Sequence, residues 1–145
     1  MMRRHAAAWC IAALVVACTA PEPLTVANAW VRAPAPGSSV AAGYFDITNN
    51  TAAVMVLIGA HSDACASIEI HTTQYDGDTM RMRELDRVEL RPGATESFAP
   101  GARHLMLLRF ADVTSPTIDV TLHFADGAQL RVPFALRSVT GSDPS

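Results

Sequence analysis

Residues 67–83 read SIEIHTTQYDGDTMRMR. Asp76-Gly77 inside this stretch is the strongest hairpin signal in the chain, because a type I′ turn needs positive φ at both central residues. The runs on either side, 67–73 and 79–83, read as strands, so the centre of the chain is predicted to be an antiparallel hairpin. The same pattern extends outward. Upstream, 24–32, 40–48 and 54–59 are strand candidates, the last two separated by the turn-prone Asn49-Asn50-Thr51. Downstream, 87–90 and 95–98 flank Pro92-Gly93, then 104–110 follows, and 117–124 joins 129–136 through Asp126-Gly127. No stretch keeps a helical period. Short strands with turn signals between them predict an all-β single domain, a sandwich or Greek-key barrel.

A chain of 145 residues has room for one core. With a net charge of −3, no basic excess suggests nucleic acid, and no charge run suggests an electrostatic tail. The first residues are an address. Arg3 and Arg4 precede an apolar stretch, 6–17, shorter than the ~20 residues that span a bilayer core as a helix. It ends in Leu14-Val15-Val16-Ala17-Cys18, which resembles a lipobox, whose cysteine is lipidated and becomes the mature N-terminus. The predicted layout is a signal over 1–18, a tether over 19–23, the β domain over 24–137 and a disordered tail over 138–145. The expected location is the bacterial periplasm, with membrane attachment only through the Cys18 lipid. Cleavage near Ala20 is the plainer alternative. Either way Cys65 is left alone, without an internal disulfide partner, and reads as a small core residue.

The chemistry lies in histidine and methionine. With the turn at Asp76-Gly77, His71 is expected directly opposite Met82, and Thr73 opposite Met80. His104 and Met106 stand two apart on one strand and share a face. If the two segments meet, two imidazoles and two thioethers converge. Thioethers are soft and uncharged and favour copper(I). Zinc prefers thiolate, imidazole or carboxylate, and calcium and magnesium want oxygen. Met80 reads as a spare thioether beside the ion. His61, His123 and Met55 read as ordinary strand and core residues, since they fall outside the paired pattern.

The spacing His71-x10-Met82-x21-His104-x-Met106 resembles the signature of periplasmic Cu(A) chaperones. Ala29-Trp30-Val31-Arg32 with Pro34, Gly43-Tyr44-Phe45, Met80-Arg81-Met82-Arg83, Pro92-Gly93 and His104-Leu105-Met106-Leu107 look like landmarks of the same family. The resemblance implies a cupredoxin-like β-barrel that binds copper(I) through His71, Met82, His104 and Met106. It also implies delivery to the copper subunit of cytochrome c oxidase or to a thiol-bearing copper assembly protein. Glu84 stands where a proline is common, and Arg109 where a glycine is common.

Three other readings compete. An electron-transfer cupredoxin needs a cysteine thiolate with a histidine and methionine shortly after it, a spacing Cys65 lacks. An immunoglobulin-like binding module would share the fold without the metal, and a storage or tolerance protein would share the metal without the delivery. No nucleophile motif marks an enzyme. The expected protein is a monomeric, non-catalytic copper(I) carrier. The lipobox has a direct consequence: the mature protein should fractionate with membranes, and Cys18→Ser should release it or stall its processing. A wild-type protein found wholly soluble in the periplasm would favour plain cleavage instead.

Overall fold

The computed structural model describes residues 20–138. Cys18 with the signal stretch, Thr19 and residues 139–145 lie outside the described residues, and with them most of the expected tail. Ten strands follow in order: β1 (Leu24–Arg32), β2 (Val40–Asn49), β3 (Met55–His61), β4 (Ser67–Asp76), β5 (Thr79–Glu84), β6 (Val88–Leu90), β7 (Thr95–Phe98), β8 (Arg103–Leu108), β9 (Thr117–Phe124) and β10 (Gln129–Arg137). No helix occurs among the described residues. The expected all-β class is what forms.

The strands run β4-β8-β2-β1-β10-β9-β3, and a bridge between Ala60 of β3 and Ile68 of β4 closes the circle. Closure removes the open edges that a sheet of this size would otherwise expose. Chain neighbours sit side by side only at β1–β2, β3–β4 and β9–β10 within this ring, and the other connections cross over, as a Greek key requires. β1 and β10 run parallel. β5, β6 and β7 attach outside the ring, to β4, β3 and β2.

Alternation fills the barrel. Ala41, Phe45 and Ile47 of β2, Ile70 of β4, Leu105 and Leu107 of β8, and Val120, Leu122 and Phe124 of β9 point inward and are buried. Phe45 stacks on Phe98 at 4.3 Å between centroids and meets Phe134 edge-on at 5.6 Å. Such aromatic pairs contribute about 0.5–1.5 kcal/mol each beyond their burial. Gly43 faces Leu105 so closely that an added Cβ would lie 3.3 Å from the leucine Cβ. The glycine therefore lets β2 and β8 fit their inner faces together.

A bulge in β1 decides what covers the outer face. Leu24 and Val26 pack against the core, and strict alternation would send Trp30 inward as well. Instead the register shifts between Ala27 and Trp30, with Asn28 in the left-handed region at φ 54. One extra residue flips the side chains beyond it. Val31 now enters the core, and Trp30 turns outward beside Tyr44. Ser97 and Asn28 both donate hydrogen bonds to the Asp46 carboxylate, at 2.6 and 2.8 Å, and hold its pKa below the ordinary value.

Arg109 follows β8 at φ 50, a left-handed conformation that a side chain occupies at a cost of about 1 kcal/mol. That geometry explains why glycine suits this position.

The β4–β5 hairpin leaves the barrel. Ser67 to Thr72 pair with β8, and Thr73 still donates its amide to Ala102 at 3.2 Å. Beyond Thr73 the backbone of β4 pairs only with β5, every residue of which is exposed. A two-stranded arm is marginally stable by itself. Amide hydrogen exchange should therefore be fastest at residues 74–81 and slowest at Leu105, Leu107, Val120 and Leu122. Equal protection in arm and barrel would show that the arm is held by more than its own ladder.

Candidate metal centre

Three strands present one outer face. β4 contributes Glu69, His71 and Thr73, because Ile70 between them is buried inward. β8 contributes His104 and Met106, alternating with the fully buried Leu105 and Leu107. β5 contributes Met80, Met82 and Glu84. The β4–β8 register sets His71 directly across from His104 and Glu69 across from Met106. The two imidazole rings lie 5.9 Å apart between centroids. The two segments expected to meet therefore do meet.

The hairpin differs from expectation in one respect. Asp76 pairs with Thr79, so the two-residue loop is Gly77-Asp78 rather than Asp76-Gly77. Gly77 carries the only positive φ of this turn, 59°, as a type II′ turn requires at its first position. A type I′ turn at Asp76-Gly77 would have forced Asp76 left-handed too, whereas type II′ places that demand on glycine alone. The partners move by two residues as a result. Met82 faces Thr73 and Met80 faces Tyr75, while Glu84 takes the expected place of Met82 opposite His71. A shift of two keeps every side chain on its face. Met82 becomes a diagonal neighbour of His71, with Cβ atoms ~7–8 Å apart in a regular ladder and still within reach of a long side chain.

Burial grades across the face. His104 is only 6% exposed, whereas Met82 and Met80 are each 56% exposed. Met106 is half-buried. The cover over His104 is aromatic. Tyr44 lies 6.4 Å from its ring and packs on Trp30 at 4.6 Å. The Arg32 guanidinium lies over both aromatic rings, and that of Arg137 over Trp30. The β1 bulge supplies Trp30 to this cover, so a distortion on one strand shields a histidine two strands away.

Hydrogen bonds fix the tautomers. His104 Nδ1 lies 3.1 Å from the Ala102 carbonyl, which can only accept, so Nδ1 carries the proton and Nε2 keeps its lone pair. His71 Nε2 lies 2.9 Å from Glu69 Oε2, so in the neutral ring Nδ1 holds the lone pair. That Nδ1 is buried with no hydrogen-bond partner. A buried polar atom without a partner normally costs about 1–3 kcal/mol. A metal ion would satisfy it, and a carboxylate behind a ligating imidazole is the usual support.

Glu69 and Glu84 escaped the sequence reading as ligand candidates. One ligand atom from each lies within 4.8 Å of the other and of a His71 nitrogen. The signal was present: Glu69 stands two residues before His71, and Glu84 two after Met82, so each shares the face of its neighbour. The other sequence readings sit elsewhere. His61 is on β3 and bonds to Asp63 at 3.3 Å, His123 is on β9, and Met55 packs against the core. Cys65 is half-buried rather than enclosed, and burial pushes its thiol pKa up.

Comparison with known proteins agrees with this architecture. A family profile described as "LpqE-like: Putative lipoprotein LpqE-like" matches residues 24–136. The chain is similar to "Putative lipoprotein Lxx21020" of Leifsonia xyli subsp. xyli, with 31% identity over 121 residues that span 81% of this chain and 72% of that one. Among solved structures it resembles the copper-bound PCuAC domain from PmoF2, with a TM-score of 0.68 and 22% identity over 83% of this chain and 97% of that one. It also resembles the solution structure of CuI-DR1885 from Deinococcus radiodurans, with a TM-score of 0.62 and 22% identity over 85% and 83% of the two chains. At these identities the likeness is one of fold, the cupredoxin-like β-barrel of PCuAC domains.

The tautomers can be read directly. At pH 8, long-range proton–nitrogen spectra of the metal-free protein should show His104 protonated at Nδ1 and His71 at Nε2. The opposite tautomer at either ring would remove the free nitrogens from the positions derived above.

Proposed function

We propose, from the premise that the chain belongs to the LpqE-like family, that it is an exported, lipid-anchored copper(I) carrier. The observation that carries this reading is the His71–His104 pair. Two imidazoles stand side by side, each with one nitrogen held by a fixed acceptor and the other left without a hydrogen-bond partner, on a face that also bears Met82 and Met106. The proposed copper(I) ligands are His71, Met82, His104 and Met106, with Met80 as a spare thioether. All four are neutral donors that suit a monovalent soft ion, and a thioether cannot be lost to a disulfide in an oxidising compartment. Copper-bound structures within the same fold support the choice of metal.

The graded burial suits a carrier better than a permanent centre. His104 is shielded, while Met82 is exposed on the two-stranded arm. A recipient can approach from the arm side and replace a thioether before the histidines let go. Thiolates bind copper(I) more strongly than neutral thioethers, so transfer to a cysteine site runs downhill. The proposed recipient is the copper subunit of cytochrome c oxidase, or a thiol-bearing assembly protein on the way to it. The proposed role is that of a non-enzymatic monomer.

Anaerobic copper(I) titration against a chromogenic chelator tests the binding. One ion per chain is expected, with affinity at least tenfold lower in Met106→Leu and Met82→Leu and unchanged in His61→Ala and His123→Ala. A site that survives loss of both His71 and His104 sinks the assignment. Delivery is tested by mixing the loaded protein with a soluble oxidase copper domain while a chelator scavenges free ion. Transfer should persist. If the chelator abolishes it, storage or tolerance is the better description.

A further inference from the structure

We infer that Trp30, Tyr44, Arg32 and Arg137 form a cationic aromatic wall that makes the proposed metal centre one-sided and selects copper(I) over copper(II). The inference rests on the copper(I) reading and names what sets its choice of oxidation state. Two rows of side chains run across the outer face. In the first, Trp30 stands across from Tyr44, Tyr44 lies 6.4 Å from the His104 ring, and His104 stands across from His71. In the second, Arg137 stands across from Arg32, Arg32 from Ala42, and Ala42 from Met106. Rings and guanidiniums therefore flank His104 and Met106 on the side away from the arm.

The wall is tightly packed. Tyr44 is 5% exposed and His104 6%. The Arg137 guanidinium lies 4.6 Å from the Trp30 ring centroid, and that of Arg32 lies 5.7 and 5.4 Å from Trp30 and Tyr44. All three contacts fall within the ~6 Å over which a ring face attracts a cation. Two like charges directly across a ladder normally destabilise it. No carboxylate relieves them here, since among the described residues neither arginine has an ion pair. The ring faces hold the guanidiniums instead, and their two positive charges stay uncancelled beside His104 and Met106.

The arm side has the opposite character. Glu69 faces Met106, Glu84 faces His71, and Met82 is exposed. A cation meets carboxylates and thioethers on that side, and apolar rings with positive charge on the other. It therefore enters and leaves over the arm. The same asymmetry bears on oxidation state. Copper(II) favours a tetragonal set of nitrogen and oxygen donors, whereas copper(I) is satisfied by soft sulfur and imidazole. Tyr44 occupies the flank of His104 from which a water ligand would join, and Ala42 beside Met106 offers no side-chain donor. A second unit of positive charge is also costlier than one beside two guanidiniums.

The test compares two affinities. The mature, metal-free chain is titrated anaerobically with copper(I) and separately with copper(II), each against a competing chelator, with circular dichroism confirming the fold of each variant. Trp30→Ala should raise the copper(II) affinity relative to copper(I) by about tenfold, which lowers the reduction potential of the bound ion by about 59 mV. Arg32→Gln keeps both rings and should move the ratio the same way by about threefold. Trp30→Phe should behave as the wild type. In the metal-free protein, the His104 Nδ1 proton should exchange with water faster in Trp30→Ala than in Trp30→Phe. Equal loss of both affinities in folded Trp30→Ala and Arg32→Gln, or an unchanged ratio in both, overturns the inference while the carrier reading stands. A wild type that binds no copper(I) overturns the carrier reading, and the wall's selective role with it.

Discussion

The register between β4 and β8 is the constraint on which the rest of the molecule depends. It seats Ile70 and Leu105 in the core on one side and His71 and His104 together on the other. Because side chains alternate with a period of two, the apolar and the polar pairings cannot be changed separately. Burial of the inward residues, at roughly 1.5–3 kcal/mol for each large aliphatic side chain, therefore also locks the two imidazoles side by side. No dedicated structural element is needed to bring the histidines together. The core does it.

The outer face combines hard and soft donors in an ordered way. Going across the strands, the residues directly opposite one another are His71 with His104 and His71 with Glu84, and Met106 faces Glu69. Around the His71 imidazole the thioethers thus lie on diagonals, Met82 on β5 and Met106 on β8, whereas the carboxylates lie beside it, Glu84 directly across and Glu69 along β4. Burial adds a second gradient, from the covered His104 to the exposed methionines of the arm. The histidines belong to the rigid barrel, whereas Met80, Met82 and Glu84 lie on a strand that pairs with β4 alone. Part of the proposed ligand set thus sits in the closed barrel and part on the two-stranded arm, an arrangement that suits the proposed carrier.

The aromatic cover shows how a local irregularity acts at a distance. Asn28, in a left-handed conformation, adds one residue to β1 and turns Trp30 outward. Trp30 then supports Tyr44, which lies against His104. The alternating pattern of residues 24–32 carries no sign of this flip, because the bulge depends on what β2 offers across the ladder. The Asp46 carboxylate there receives the Asn28 amide.

The sequence by itself determined a great deal. Turn residues and short β-prone runs marked all ten strands, since these are local properties: positive φ at Gly77, Gly93 and Gly127, and, in barrel strands such as β9 and β10, burial of every second residue. It also determined which side chains share a face, because that follows from parity alone. His71, Met82, His104 and Met106 could be grouped on those grounds before any contact was known. What the tertiary structure decided was who stands opposite whom. The hairpin register turned on whether Asp76 or Gly77 opens the loop, a choice of about 1 kcal/mol that a dipeptide signal does not resolve. That choice put Glu84 rather than Met82 across from His71. Likewise, the meeting of β4 with β8, thirty-three positions apart at His71 and His104, came from closing the barrel around a shared core, a long-range condition that no local pattern records.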